Sequence, residues 1–277
     1  MDHRLLPRTA SSIRIVFGCS KPVHGAGATG RIRLRLAVIS DIHSDADAFA
    51  AALDGARDQG FDQLLILGDL LTYGMQPVRT LELVAEAESC DRAVLIRGNH
   101  DQMYLDGANG RSDYADSLPE WIRESVDWTS RQLARSRASL DLGWVDSWCS
   151  GGVYAAHANP FGRRDWTYLR TAEMLERARQ VIAAACLRLG IFGHTHRFRH
   201  VEDEGVNVVT VGSIGQPRSE APVSEWTQID MTRAACTVTR HPVAVDWHAR
   251  ARAVRASTLS PATQDRLCSF FAQEHTT

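Results

Sequence analysis

The strongest constraint on the fold is an alternation of short apolar runs with amphipathic segments. Apolar runs rich in branched residues occur at 34–40, 62–68 and 92–98, and their length is typical of buried strands. Two segments between them, 45–60 and 76–89, repeat their apolar residues at helical spacing. Strands that alternate with helices build βαβ units around a largely parallel sheet, so this part of the sequence predicts an α/β fold.

The second half of the chain continues the alternation less regularly. Residues 102–120 are polar and contain Gly107, Gly110 and Pro119, so we predict a loop or insertion there, followed by a helix at 121–138. The later predicted elements are a strand at 152–157, a helix at 171–188, and strands at 189–193, 206–213, 224–230 and 235–241. The tail after about residue 250 is predicted to be a polar helix or disordered.

The pattern predicts one main domain, because no internal repeat or linker interrupts it. We place that domain at residues 34–248, with an insertion at about 102–140 and a C-terminal polar helix or tail at 249–277. The first 33 residues carry six basic residues against one acidic residue. Such a leader is either a targeting segment or a loose terminal extension, and its lack of an apolar core favours the extension.

Composition limits the partners of the chain. Hydrophobic residues make up 44% and charged residues 23%, which is typical of a globular protein, and no apolar run approaches the roughly 20 residues that span a bilayer. The net charge of −2 gives no overall attraction to nucleic acid or to an anionic membrane. The six cysteines are scattered without a C-x-x-C pair, which predicts reduced thiols in a cytoplasmic protein.

Residue types that commonly bind metals follow the ends of five predicted strands. In chain order they are Asp41, His43, Asp69, Asn99, His100, Asp101, His157, His194 and His196. In open α/β sheets, ligands bind just outside the carboxyl ends of the strands. We therefore expect these side chains, although distant in the sequence, to converge on one edge of the fold.

The side-chain types at this edge suit two metal ions. Carboxylate, amide and imidazole groups together form the oxygen and nitrogen set that binds Mn, Fe, Zn, Co or Ni. A spacing of two residues puts Asp41 and His43 on the same side of an extended backbone, and it does the same for His194 and His196. Two ions about 3.5–4 Å apart can hold a bridging hydroxide and clamp a phosphate.

These motifs, in this order, resemble those of the calcineurin-like metallophosphoesterases. The matching blocks are Asp41-Ile42-His43, Gly68-Asp69, Gly98-Asn99-His100-Asp101, His157 and Gly193-His194-Thr195-His196. The resemblance implies a two-sheet β-sandwich flanked by helices, in four αββα layers, with a dimetal site at the strand ends. Further stretches are similar to small bacterial YfcE-type phosphodiesterases and to diadenosine polyphosphate hydrolases.

The resemblance also implies a role for each matched residue. The first metal would be bound by Asp41, His43 and His196, the second by Asn99, His157 and His194, and Asp69 would bridge them. His100, held by Asp101, would act as a cation or general acid beside the leaving oxygen. A terminal or bridging hydroxide would attack phosphorus in line, and the preorganised charges of the site would supply most of the catalysis.

Departures from the family pattern bear on the substrate. Ser/Thr protein phosphatases of the superfamily carry an Asp-Arg pair where this chain has Thr72 and Tyr73. A neutral tyrosine cannot replace a bidentate guanidinium, so protein phosphatase activity is disfavoured. Tyr73 and Arg218 are candidate substrate-binding residues, and Arg218 is equally suited to a structural ion pair.

The sequence thus predicts a dimetal phosphoric-ester hydrolase that acts on phosphodiester or phosphoanhydride bonds of a small substrate, preferably a nucleotide. A phosphomonoesterase is the main alternative. A nuclease is less favoured because no basic stripe with interleaved aromatic residues is present, and a non-catalytic scaffold would not need His100. Trp121, Trp128 and Trp166 either stack on a nucleobase or pack in the interior, and packing is favoured. The tryptophan-bearing insertion would also suit a homo-oligomer contact.

Overall fold

The computed structural model describes residues 33–111, 113–219 and 223–271. Its strands are β1 (Leu34–Ile39), β2 (Gln63–Ile66), β3 (Val94–Ile96), β4 (Trp144–Val145), β5 (Ser147–Ser150), β6 (Val153–Ala156), β7 (Leu189–Phe192), β8 (Arg199–Asp203), β9 (Val206–Thr210), β10 (Glu225–Met231) and β11 (Cys236–Pro242). Its helices are α1 (Ala46–Gln59), α2 (Pro77–Cys90), α3 (Asn99–Ala108), α4 (Asp113–Asp116), α5 (Glu120–Ala134), α6 (Ala172–Ala184), α7 (Trp247–Arg255) and α8 (Pro261–Cys268).

The strands form two mixed sheets. The first sheet has the order β11-β10-β1-β2-β3-β4, in which β1 to β4 run parallel and β10 pairs antiparallel with both of its neighbours. The second sheet has the order β5-β6-β7-β9-β8, with β6, β7 and β9 parallel and an antiparallel strand at each edge. The predicted parallel core is therefore present in both sheets.

Alternate residues of each strand point to different apolar layers, as the period of two requires. In β1, Val38 lies in the layer between the two sheets, together with Ile191 of β7 in the second sheet. The adjacent Ile39 lies in the opposite layer, where α1 and α2 cover the first sheet. Helix α6 covers the outer face of the second sheet through residues such as Ile182. The four-layer αββα arrangement implied by the motifs is confirmed.

Helix starts follow the capping signals of the sequence. The Asp45 side chain accepts a hydrogen bond from the Ala48 N–H at the start of α1, and Pro77 occupies the first turn of α2. Asp45 also forms an ion pair with the buried Arg250 of α7, which ties the C-terminal helices to the main domain.

The region predicted as a loop at 102–120 is instead largely helical. Helix α3 begins directly after β3, and its Met103 and Tyr104 are buried against the core over α1 and α2. The sequence did not predict this helix because it is mostly polar and only two of its residues pack in the apolar core. The short strands β4, β5 and β8 were also not predicted, because they are partly exposed and contain no continuous apolar run.

Helices α5, α7 and α8 pack together over one side of the strand-end loops. Their shared apolar cluster includes Trp128, Val254, Leu267 and Phe271, and it also contains Tyr73 from the loop after β2. The tail after residue 250 thus contains the end of α7 and all of α8, and its apolar residues contact the insertion.

Composition also led to expectations about membrane-spanning helices and about the state of the cysteines. Within the described residues, no helix is both long and apolar enough to cross a membrane. The expectation of reduced thiols holds at Cys90, Cys186, Cys236 and Cys268, which are free, but it is wrong at Cys149, which is disulfide-bonded.

Truncation of a side chain between the sheets tests the layer arrangement. We expect Val38→Ala to lower the free energy of unfolding by about 2 kcal/mol, because Val38 is fully buried and its loss leaves a cavity. The matched control is Val145→Ala, at a side chain 38% exposed, with an expected change within about 0.5 kcal/mol. Urea unfolding in the presence of a chelator measures both, and equal losses would contradict the arrangement.

Candidate metal centre

The loops that follow β1, β2, β3, β6 and β7 meet at one end of the two sheets. Short backbone hydrogen bonds join them: the Asp41 N–H donates to the Gly68 carbonyl over 3.1 Å, and the Gly193 N–H donates to the His157 carbonyl over 2.7 Å. All seven predicted metal ligands are buried. Asn99 is the first residue of α3, and the other six lie in these loops, namely Asp41, His43, Asp69, His157, His194 and His196. The convergence predicted from the strand ends is present.

The backbone at the paired ligands is not extended, contrary to the expectation from their spacing. Asp41 and His43 have φ angles of 53° and 49°, and His194 and His196 have φ angles of 62° and 56°. Residues other than glycine rarely adopt this left-handed region, and such strain concentrates at ligand-binding sites. The side chains reach a common centre because the loops coil tightly, rather than because alternate residues of a strand share a face.

One group of side chains that can hold a metal ion consists of Asp41, His43, Asp69 and His196, whose ligand atoms all lie within 4.8 Å of one another. The His43 Nε2 lies 3.3 Å from the His196 Nε2. The Asp41 Oδ1 lies 3.3 Å from the same His196 nitrogen, and the Asp69 Oδ2 lies 3.9 Å from the His43 Nε2.

A second such group consists of Asp69, His157 and His194. The His157 Nε2 lies 3.4 Å from the Asp69 Oδ2 and 3.2 Å from the His194 Nδ1. The Asn99 Oδ1 lies 3.1 Å from the same His157 nitrogen, so it can contribute a further oxygen ligand. Asp69 belongs to both groups and is placed to bridge them.

Each imidazole is oriented by a hydrogen bond on the side away from the centre. Three of them donate from Nδ1 to backbone carbonyls: His43 to Leu71, His157 to Leu67 and His196 to Gln216. His194 is reversed and donates from Nε2 to the Trp166 carbonyl over 3.0 Å. A carbonyl can only accept, so the donated proton leaves an unprotonated nitrogen on the inner side of each neutral ring.

The inner atoms of the first group fit a cation. The His43 and His196 nitrogens face each other with unprotonated lone pairs at 3.3 Å, which is unfavourable without a positive charge between them. The Asp41 Oδ1 is buried and has no hydrogen-bond partner among the described residues. The mixture of imidazole and carboxylate is the donor set of first-row transition metals, so the residues present fit bound metal ions.

Burial keeps most of these imidazoles in their neutral form. It lowers the pKa of both His43 and His194 to about 3. Burial, reinforced by the Arg218 charge, holds the pKa of His196 well below its ordinary value. Neutral imidazole is the form that binds a metal, so these three rings need lose no proton when an ion enters.

The Asp69 carboxylate carries the central negative charge. Burial alone would raise its pKa, but His157 and His100 hold the pKa well below the ordinary value. Burial alone would lower the pKa of His157, but the Asp69 and Asp41 carboxylates raise it to about 9. A proton and a metal ion therefore compete for the inner nitrogen of His157.

The expectation that Asp101 holds His100 is wrong. Asp101 is the third residue of α3 and points back along it, where its carboxylate accepts from the backbone N–H groups of Gly98, Asp69 and Leu70. The His100 ring instead contacts the Thr72 hydroxyl through Nδ1 at 3.0 Å and the Tyr73 hydroxyl through Nε2 at 3.2 Å. Asp101 thus shapes the backbone around Asp69.

The two candidate substrate-binding residues lie at the edge of the centre. The Tyr73 ring packs against His43, with ring centroids 4.7 Å apart, and stacks on Trp121 at 5.5 Å. The Arg218 guanidinium donates to the Gln216 Oε1 over 2.6 Å, and among the described residues no carboxylate lies within ion-pair distance of it. The substrate-binding role of Arg218 stays a prediction.

Two tyrosines that the sequence did not single out, together with Trp166, line the other side of the centre. The Tyr168 ring stacks on His194 with centroids 3.9 Å apart, and the Tyr114 hydroxyl accepts from the Asn99 amide over 3.2 Å. Trp166 lies edge-on to His157, whereas Trp128 packs in the interior as favoured. A single tyrosine or tryptophan in a loop carries no sequence signal of such a contact.

Metal titration tests the two groups of ligands. We expect a chelator-treated protein to bind two Mn²⁺ ions per chain and to gain about 2.7 kcal/mol per site at a concentration 100 times its dissociation constant. Asp69→Asn should weaken both sites, because Asp69 belongs to both groups. The control is Asp54→Asn, at a carboxylate 74% exposed. Calorimetry measures stoichiometry and affinity, and unchanged binding in Asp69→Asn would contradict the shared ligand.

Comparison with known proteins agrees with this architecture. A model of the calcineurin-like phosphoesterase superfamily domain matches residues 34–230. The uncharacterized protein MJ0912 of Methanocaldococcus jannaschii is 28% identical over 142 residues, which are 50% of this chain and 55% of that protein. The chain thus spans about half the length of the curated relative that it matches.

Two solved structures share the fold. A metallophosphoesterase from Sphaerobacter thermophilus superposes with a TM-score of 0.65 and 23% identity, over 86% of this chain and 99% of that chain. The hypothetical protein PH1004 from Pyrococcus horikoshii OT3 gives a TM-score of 0.71 and 18% identity, over 84% and 97% of the two chains. Because the family match covers more than half of the chain and includes every candidate ligand, this chain belongs to the calcineurin-like phosphoesterase superfamily.

Proposed function

We propose that this protein hydrolyses phosphodiester or phosphoanhydride bonds in a small phosphorylated substrate. The observation that carries the proposal is the pair of ligand groups that share Asp69, with one ring nitrogen of each histidine directed inward. Two divalent cations, when bound, would polarise phosphoryl oxygens and supply a water of lowered pKa near neutral pH. Mn, Fe, Ni, Co or Zn would suit these ligands. A cytoplasmic location is also part of the proposal: the four free cysteines support it, and the disulfide at Cys149 counts against it.

The residues of the chain would divide the work as follows. Asp41, His43 and His196 would hold the first cation, Asn99, His157 and His194 the second, and Asp69 would contact both. The carbonyls behind the imidazoles would fix the ring orientations before substrate arrives, which avoids reorganisation during the reaction.

His100 is the residue placed to act on the substrate. Its ring lies edge-on to His43 with centroids 5.2 Å apart, so it borders the centre without belonging to either ligand group. Thr72 and Tyr73 contact its two nitrogens and fix its orientation. In the proposed reaction His100 would donate a hydrogen bond or proton to the leaving oxygen.

The substrate class follows from the surroundings of the centre. Tyr73 occupies the position of the arginine of protein phosphatases and packs into an aromatic cluster, which disfavours a phosphoprotein substrate. Tyr168, Trp166 and the 40% exposed Tyr114 form an aromatic wall on the opposite side. The Arg170 guanidinium covers the face of Tyr168 that His194 leaves free, so a nucleobase would contact Trp166 and Tyr114. We therefore favour a nucleotide substrate, attacked as a diester or anhydride rather than as a monoester.

Hydrolysis of chromogenic esters tests the reaction class. We expect chelator-treated protein to hydrolyse bis-p-nitrophenyl phosphate faster than p-nitrophenyl phosphate once Mn²⁺ is restored. Asn99→Ala should lower kcat/KM by about 100-fold or more, because it removes an oxygen ligand of the second group. Asn109→Ala, at an exposed amide that bonds only to the Leu105 carbonyl, is the matched control. No turnover with any of the five metals, despite measured metal binding, would contradict a hydrolase for these esters.

A variant of His100 separates catalysis from metal binding. We expect His100→Gln to lower kcat by about 10²–10⁴-fold, since a positioned acid or base contributes that much. Its Mn²⁺ stoichiometry should stay at that of the wild type, because His100 lies outside both ligand groups. Stopped assays of turnover together with calorimetric titration give the two values. An undiminished kcat in His100→Gln would contradict a catalytic role for His100.

A further inference from the structure

A pocket of about 250 Å³ lies beside the second ligand group of the metal centre. Its wall includes His157 and Trp166, both of which contact that group. Three arginines, Arg97, Arg163 and Arg164, also line it, and we call these side chains and the space between them the arginine pocket. The volume is several times that of a water molecule in the liquid, so a phosphate group fits inside.

The arginine pocket arises where the edges of the two sheets meet. Arg97 follows β3 and stands two residues before Asn99, so its position is fixed by the strand that places this ligand. Arg163 and Arg164 lie in the loop between β6 and α6, downstream of His157. Arg164 has a φ of 57°, a left-handed conformation that is rare outside glycine. This strained loop brings the two arginines to the same carboxylate, that of Asp146.

The three guanidinium groups share that single carboxylate. The Asp146 carboxylate lies 2.5 Å from the Arg163 Nε, 3.2 Å from the Arg164 Nε and 3.8 Å from the Arg97 Nη1. One carboxylate neutralises one positive charge, so most of the charge of the cluster is left uncompensated by Asp146.

A second acid on the wall does not reverse the sign. Asp165 also lines the pocket, but its Oδ1 accepts hydrogen bonds from the Asn159 amide at 3.1 Å and from the Thr167 N–H at 2.8 Å. Three guanidinium groups thus face two carboxylates, one of which is already engaged with neutral donors. The pocket retains a net positive charge.

Arg97 also has a hydrogen-bond donor without a partner among the described residues. Its side chain is only 16% exposed, and its Nη1 donates to the Gln102 Oε1 over 3.1 Å. Its Nε is buried and has no hydrogen-bond partner among the residues that the structure describes.

We propose that the arginine pocket binds a second phosphate group of the substrate, next to the phosphate that is attacked at the metal centre. Arginine is suited to this task because its planar fork of donors matches phosphate oxygens. The inference rests on the proposed hydrolase function and narrows its substrate to molecules with two neighbouring phosphates, such as nucleoside polyphosphates. Trp166 lines the same pocket and would contact the organic part of such a molecule.

Anion binding without metal tests the pocket independently of activity. Inorganic pyrophosphate is titrated into the full-length, chelator-treated protein by calorimetry, and we expect one equivalent to bind. The double variant Arg163→Gln/Arg164→Gln, at side chains 69% and 32% exposed, should bind at least about 10-fold more weakly. The control is Arg79→Gln, at an arginine 57% exposed that pairs with Glu82, and it should bind like the wild type. Equal pyrophosphate affinity in all three proteins, or no binding to the wild type, would overturn the proposal that the arginine pocket binds phosphate.

The kinetics of two substrates then shows whether the arginine pocket binds a phosphate of the substrate or an anion unrelated to the reaction. With Mn²⁺ restored, we expect the double variant to lower the ratio of kcat/KM for adenosine 5′-diphosphate to that for bis-p-nitrophenyl phosphate by about 10-fold. Arg79→Gln should leave the ratio unchanged. Pyrophosphate binding that depends on both arginines, with an unchanged ratio, would overturn the assignment to the substrate. If the wild type turned over neither substrate, the proposed hydrolase function would be refuted instead.

Discussion

The buried carboxylate of Asp69 is the constraint on which the arrangement of the strand-end loops depends. A negative charge inside a protein is costly unless opposite charges and hydrogen-bond donors surround it. The backbone N–H of His100 donates to the Asp69 Oδ1, which leaves the Asp69 Oδ2 between His43 and His157. Asp101 in turn accepts from the Asp69 N–H, so the first turn of α3 fixes the backbone from which the carboxylate projects. A cation on each side would complete this compensation.

The surrounding loops hold their ligands at the expense of local conformational freedom. Left-handed φ angles at Asp41, His43, Asp69, His194 and His196 persist because carbonyl and carboxylate acceptors from neighbouring loops fix both backbone and rings. Glycines permit the close approach: a Cβ on Gly98 would lie 2.2 Å from the Asp69 Oδ1. Metal binding, loop geometry and stability are therefore coupled, since the ions would relieve the mutual repulsion of the inner nitrogens.

The sequence predicted the parts of the molecule that local pattern controls. Strands β1, β2 and β7 could be recognised because each apolar run stops at a polar ligand, and the ordered motifs identified the two-sheet fold. The partners of His100 could not be predicted, because Thr72 and Tyr73 reach it only through the turn after β2. Helix α3 was missed because its burial is created by tertiary packing. The arginine pocket unites residues 97 and 163–164, which no sequence spacing connects.

Anomalous diffraction from a crystal of the Mn²⁺-loaded protein tests most directly whether two cations flank Asp69. We expect two Mn peaks about 3.5–4 Å apart. One peak should contact Asp41, His43 and His196, the other Asn99, His157 and His194, with a carboxylate oxygen of Asp69 in contact with both. A single peak, or ions bound away from Asp69, would contradict this expectation.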